Sequence, residues 1–409
     1  MSTLHTNAQH SAGSLAEQQL HVTPLKSHRF LFLDALRGIA ALFVVVFHLP
    51  NAMTSGIAGN GLLAVDFFFC LSGFVIAFSY EHRLTETLSF KDFSVARLIR
   101  LYPIYVLGTL FGLLTASLVQ HIAFYGAEPW WTSLSFFALA LFLWPTRLSP
   151  IHQTANYPLN VPAWSLFYEI FANLAYALLV KLRAARTAVL LCIVAGSLAL
   201  LVSAVISGHT LNMGPRQDNF GLGFARVTFS FFLGVLICRF YRSRPRNANA
   251  AWVQRFAPIW ITVALIGILS SPLSSMRTEI FRLISISVLF PTMVYCGAVA
   301  RLPASVTRLS TVLGELSYPL YLLHAPFASL MAARRLLHFT ATHTALIHCI
   351  VPCIVLILAL LSWQVGEHLD LPIRRALTRR YNSYKQAKQT HASSQASAPK
   401  ITTPQHDEA

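Results

Sequence analysis

From about position 30 the chain is a series of long apolar runs broken by short polar clusters. Runs that suffice to cross a bilayer stand at 31–50, 61–80, 101–120, 163–181, 187–207, 224–241, 257–272, 281–300, 316–336 and 345–365. At 1.5 Å rise per residue, about 20 apolar residues span the hydrocarbon core as a helix, and only a helix or a closed barrel satisfies its own backbone there. An eleventh run near 133–145 is shorter. Positive charge decides whether it crosses, because Lys and Arg gather on the cytoplasmic side. If it does not cross, Lys26, Arg29, Arg83, Lys91, Arg97 and Arg100 share a side with Lys181, Arg183, Arg239, Arg242, Arg301, Arg308, Arg374 and Arg375. If it crosses, every later basic loop moves outside.

The pattern therefore predicts an all-α polytopic membrane protein with about ten transmembrane helices and both termini cytoplasmic. Residues 1–28 form a disordered cytoplasmic tail and 29–380 the membrane domain. A long extracytoplasmic loop, 120–162, holds a short interfacial or re-entrant helix, and 381–409 is a second disordered cytoplasmic tail. Trp130, Trp131, Trp144 and Tyr157 in that loop are either interfacial anchors or a platform for a sugar ring.

Composition agrees. Hydrophobic residues make up 55% and charged residues 11%, against about 25% charged in soluble domains. The net charge of +16 lies in clusters between apolar runs, which is loop topology rather than a nucleic-acid surface. The six cysteines lie in or beside apolar segments without metal-ligand spacing, so neither disulfides nor a metal is expected.

The polar residues inside the runs carry the functional signal, since an ionisable group in a bilayer is costly. In the first run Arg37 and His48 are eleven positions apart, which puts them on one helix face roughly 16 Å apart. Arg37 lies near the cytoplasmic end and His48 near the outer end. Asp66 in the second run and Glu169 in "WSLFYEIFAN" enter from outside, so both are expected in the outer half near His48. A carboxylate there would orient the imidazole of a histidine acting as general base; which of the two does so stays open. Arg97 and Arg100 in "ARLIRLYP" are one turn apart, a spacing suited to phosphate contacts. The result is an anion-friendly mouth inside and an acid–base group outside, which suits a donor with a phosphorylated head and a long arm, such as a coenzyme A ester. In "SYPLYLLHAP", Pro319 is expected near a helix start. His324 either lines a tunnel or bonds a neighbouring helix, and Arg226 either pairs with Glu169 or meets the acceptor.

Arg37-x10-His48, "VDFFFCLSGFVI", "RLIRLYP", "WSLFYE", "RVTFSFFLGVL", "ELSYPLYLLHAP" and "GEHLDLPIRR" together resemble the acyltransferase-3 family of integral membrane O-acyltransferases. The resemblance runs from about Phe30 to Arg375. It implies transfer of an acyl group, commonly acetyl, from cytoplasmic acyl-coenzyme A to a hydroxyl of a surface glycan or a small molecule, within a bacterial cytoplasmic (inner) membrane. By resemblance His48 is the catalytic base and Glu169 the glutamate of a Trp-Ser-Leu motif; either Asp66 or Glu169 would orient the imidazole. By resemblance too, Arg37, Arg97 and Arg100 belong to the donor-binding elements and Ser72 to a Ser-Gly-Phe turn; apart from the resemblance, Ser72, Arg226, Tyr321 and His324 are candidates for the substrate path or tunnel. The expected partners are acyl-coenzyme A, the hydroxyl acceptor and membrane lipids, with no metal and no nucleic acid. Some members add an extracytoplasmic hydrolase-like domain; here such a domain would be a separate partner. The competing reading is a transporter or flippase, since buried charges also suit translocation. No internal repeat supports it. The oligomeric state is not legible in the sequence.

Overall fold

A computed structural model describes residues 29–123, 130–146, 155–244, 251–271, 276–331 and 344–396. The helices are α1 (Leu31–His48), α2 (Ala64–Glu86), α3 (Phe90–Ala123), α4 (Trp130–Leu141), α5 (Ala163–Lys181), α6 (Thr187–Ile206), α7 (Phe220–Ser243) and α8 (Ala251–Ser270). Then follow α9 (Met276–Ile284), a π turn (Ser285–Leu289), α10 (Phe290–Val299) and α11 (Ala304–Met331). The last are α12 (Thr344–Val365), a second π turn (Gly366–Asp370) and α13 (Leu371–Ala396). The one extended pairing among the described residues is an isolated bridge between Ala155 and Arg216.

Among the described residues, eight helical segments are long and apolar enough to cross a bilayer. The described parts of the two further runs expected to cross, 257–272 and 316–336, also fall on helices, α8 as far as Ser270 and α11 as far as Met331. The chain is an all-α polytopic membrane protein. The run at 133–145 forms the short α4, whose C-terminal carbonyls have no partner within their own helix. Three phenols supply donors: Tyr102 to Leu141, Tyr105 to Ala140 (2.5 Å) and Tyr157 to Leu143 (2.8 Å). Trp131 and Trp144 are exposed while Tyr157 is buried, so Tyr157 is a tether rather than part of an aromatic platform.

Two expectations need correction. The helix that begins at Leu371 runs without a break through position 381 to Ala396. Its Ala, Gln, Lys and Arg residues are good helix formers, and Tyr381 and Lys385 both bond the Asp92 carboxylate of α3. The expected tails at 1–28 and 397–409 lie outside the described residues. Pro319 is not at a helix start but halfway along α11, and Pro326 lies further on. A proline removes the N–H that would bond the carbonyl four residues back. For Pro326 that carbonyl is Leu322, and the Asn160 side chain donates to it at 3.1 Å.

Helices in lipid gain little from hydrophobic contrast and associate through small residues that let backbones approach. Gly73 of α2 rests on the Phe231 backbone of α7, and Gly234 of α7 rests on the Cys70 backbone of α2. The glycine of "LSGF" is thus a contact surface. α11 is the spine of the bundle: it packs along α1 and touches α3 and α12.

Candidate active site

α1 and α11 run parallel, so partners keep a nearly constant offset along them. At one end Arg37 donates from Nε to the Ser317 hydroxyl and from Nη2 to the Gly314 carbonyl, both at 2.8 Å, and pairs with Asp34 at 3.2 Å. At the other end His324 Nε2 lies 3.2 Å from His48 Nδ1, with ring centroids 4.9 Å apart. Ser317 and His324 are seven residues apart, which is roughly 10 Å along the helix axis. Between them Tyr318 donates to the Leu101 carbonyl of α3 at 2.6 Å. Tyr321 shares a 2.7 Å hydrogen bond with Ser165 of α5 and packs edge-on against Phe68 of α2.

The arginine end is a cluster. Arg97 is 5% exposed and pairs with Glu169 at 3.3 Å, while its Nε has no hydrogen-bond partner among the described residues. Ser72 donates to the same Glu169 oxygen at 2.9 Å. Arg100 is exposed and adds its charge to both Arg37 and Arg97. A buried guanidinium with a donor to spare beside two further arginines attracts anions, because each arginine presents a planar fork suited to phosphate.

Neither carboxylate meets His48. Asp66 is fully engaged by Arg226, which donates from Nε to Oδ1 (2.9 Å) and from Nη2 to Oδ2 (2.6 Å). Arg226 also bonds the Met213 and Leu62 carbonyls and lies over the Trp164 ring. Glu169 belongs to Arg97 and Ser72. The expected carboxylate–His48 contact is therefore not formed, and Arg226 pairs with Asp66 rather than with Glu169. The physical reason is that a buried charge takes the nearest partner able to fill its hydrogen bonds; for Asp66 that is an arginine on α7, the helix against which α2 packs. The groups on His48 are instead the Val44 carbonyl, 2.9 Å from Nδ1, and His324.

The structure thus divides the expected residues. Arg37, Arg97, Arg100, Glu169 and Ser72 gather at one end, His48 and His324 meet at the other, and Tyr321 stands between. Asp66 and Arg226 form a separate pair. Sequence reasoning missed Ser317 and Ser165. The signal for Ser317 was its place seven residues before His324, two turns away on the same face of a helix, the face of α11 that meets Arg37 and His48. Among the described residues no group of three or more His, Cys, Asp or Glu gathers as metal ligands do.

The described structure is a membrane helical bundle with an arginine cluster at one end of α11 and a histidine pair further along it. A family model described as an acyltransferase domain matches residues 30–363, and the chain belongs to this family: it is an integral membrane O-acyltransferase. Over 163 residues it is 37% identical to "Protein 2 in picA locus" of Rhizobium radiobacter, covering 36% of this chain and 81% of that protein. Over 84 residues it is 37% identical to "Putative O-acetyltransferase SACOL0978" of Staphylococcus aureus (strain COL), covering 20% of this chain and 13% of that protein. The match to "Putative O-acetyltransferase SAR0937" of strain MRSA252 has the same extent. No solved structure matches the chain.

Proposed function

We propose that the chain moves an acyl group, acetyl by preference, from acyl-coenzyme A to a hydroxyl of a surface glycan or another extracytoplasmic acceptor. The arginine end faces the cytoplasm of a bacterial cell and takes the phosphorylated head of the donor through Arg37, Arg97 and Arg100. Glu169, to which Ser72 donates, pairs with Arg97 until the phosphates of the donor take its place. The acyl arm lies along α11 past Tyr321, and His48 serves as general base. It takes the proton of the acceptor hydroxyl as that oxygen attacks the thioester carbonyl. The C–S bond then breaks, and the thiolate leaves with the proton from the imidazolium. Positioned donor and acceptor supply the proximity such a step needs, and a base in reach of the hydroxyl supplies the rest.

The observation that carries this reading is the single track on α11, with anion-binding groups at one end and a histidine pair at the other. The test is binding of acetyl-coenzyme A to the purified full-length protein. Wild type and His48→Ala should bind alike. Arg97→Ala/Arg100→Ala should bind at least about 100-fold more weakly, since each charge-assisted contact contributes roughly 1.5–3 kcal/mol. A folded wild type that binds no acyl-coenzyme A overturns the reading. Release of free coenzyme A on turnover separates transfer from transport, which leaves the thioester whole.

A further inference from the structure

General bases are commonly oriented by a third group, and among the described residues no carboxylate bonds His48. His324 lies 1% exposed on α11. Its Nδ1 faces the Leu320 carbonyl at 3.2 Å and its Nε2 faces His48 Nδ1 at 3.2 Å. A carbonyl oxygen only accepts, so the Nδ1 of His324 carries the proton, and the Nε2 of the neutral ring is a bare acceptor. That acceptor bonds His48 Nδ1 only if His48 is protonated there. The Val44 carbonyl, 2.9 Å from the same nitrogen, makes the same demand. Two acceptors on one side of His48 thus define its tautomer: hydrogen on Nδ1, lone pair on Nε2.

The charged groups of the neighbouring helices are committed elsewhere. Asp66 of α2 is held by Arg226 of α7, and Glu169 of α5 by Arg97 of α3. The Tyr321 ring, 5.9 Å from that of His324, has its hydroxyl bonded to Ser165 of α5 at 2.7 Å.

We infer that His324 is the positioning residue for His48, in place of the aspartate or glutamate that such bases often use. This rests on the reading of His48 as base. His324 keeps Nε2 of His48 free to take the hydroxyl proton. When His48 becomes imidazolium, the bare Nε2 of His324 and the Val44 carbonyl both accept from its Nδ1–H and share the charge. His324 itself neither gains nor loses a proton in the cycle. The proton taken from the hydroxyl returns to the departing thiolate, and the two rings end as they began.

The experiment uses the full-length protein with 15N-labelled histidine, together with coenzyme A release from acetyl-coenzyme A in membranes that retain the native acceptor. In the wild-type spectrum His48 should show a protonated Nδ1 and a bare Nε2. His324→Leu should let His48 populate both tautomers and lower the rate about 100-fold, near the low end of what a positioned base contributes. Acetyl-coenzyme A affinity should stay unchanged. His324→Gln, whose amide oxygen can accept from Nδ1–H, should retain most of the rate. A wild-type spectrum with the proton on His48 Nε2 overturns the proposal without any variant. So does a glutamine variant as slow as the leucine one, or a leucine variant as fast as wild type. If His48→Ala releases coenzyme A at the wild-type rate, it is the base assignment that fails, independently of His324.

Discussion

The Asp66–Arg226 pair offers the sharpest test of how polar groups are used in this bundle. Both side chains are 1% exposed. Arg226 makes three contacts to the Asp66 carboxylate at 2.6–3.1 Å and two to the Met213 and Leu62 carbonyls at 3.0–3.1 Å. Ser230 adds a longer hydrogen bond at 3.4 Å. Arg226→Leu would strand a buried carboxylate, a loss of about 3–5 kcal/mol of folding stability. Asp66→Leu would strand the guanidinium at similar cost. The double variant carries no unpaired charge, and what it loses is the donors to two carbonyls, about 1–3 kcal/mol each at most. It should therefore be more stable than the sum of the singles by about 2 kcal/mol or more, a coupling expected of residues in contact. The assay is unfolding of the purified protein in a titration from mild to denaturing detergent, run beside acetyl-coenzyme A binding. Equal stability of Arg226→Leu and wild type would refute the brace reading. A stable Asp66→Asn variant that binds donor but has no turnover would return Asp66 to the chemistry.

Three further outcomes are expected. Gly73→Leu should prevent close approach of α2 and α7 and yield little folded protein in membranes, while Gly73→Ala should lose roughly 1–3 kcal/mol from overpacking in the same detergent titration. Glu169→Gln removes the anion that competes for Arg97; acetyl-coenzyme A affinity, read by calorimetry, should rise about fivefold, roughly 1 kcal/mol. A tenfold fall would instead mark Glu169 as the group that aims Arg97. Tyr105→Phe removes one of two donors to the Ala140 carbonyl, which keeps the Leu143 N–H at 2.7 Å, and should lower stability by about 0.5–1.5 kcal/mol, with donor binding unchanged.

Positions of the helices were legible because a bilayer leaves the backbone little choice. A run of about twenty apolar residues must bond within itself, so run 31–50 became α1 (Leu31–His48) and run 61–80 became α2, which starts at Ala64 and continues to Glu86. The same logic marked Arg37, His48, Asp66, Arg97, Glu169, Arg226 and His324, since a charge or imidazole in an apolar run has to have a reason. The polar composition of 381–396 misled, because a helix that continues out of a membrane span needs no apolar face when its side chains find partners such as Asp92.

Partner choice was decided only by the tertiary structure. Depth along a helix can be counted from the sequence, but the azimuth of one helix toward another depends on which backbones come close, and glycines such as Gly73 and Gly234 settle that locally. Asp66, counted to lie near His48, turned instead to Arg226 because α2 lies against α7. Glu169 reached Arg97, and His48 was left to a histidine on α11. The sequence by itself determined that this chain is a helical membrane protein with ionisable groups at two depths. Which of those groups face one another followed from helix packing, because contacts across the bundle join residues as far as 293 positions apart, and no local pattern records them.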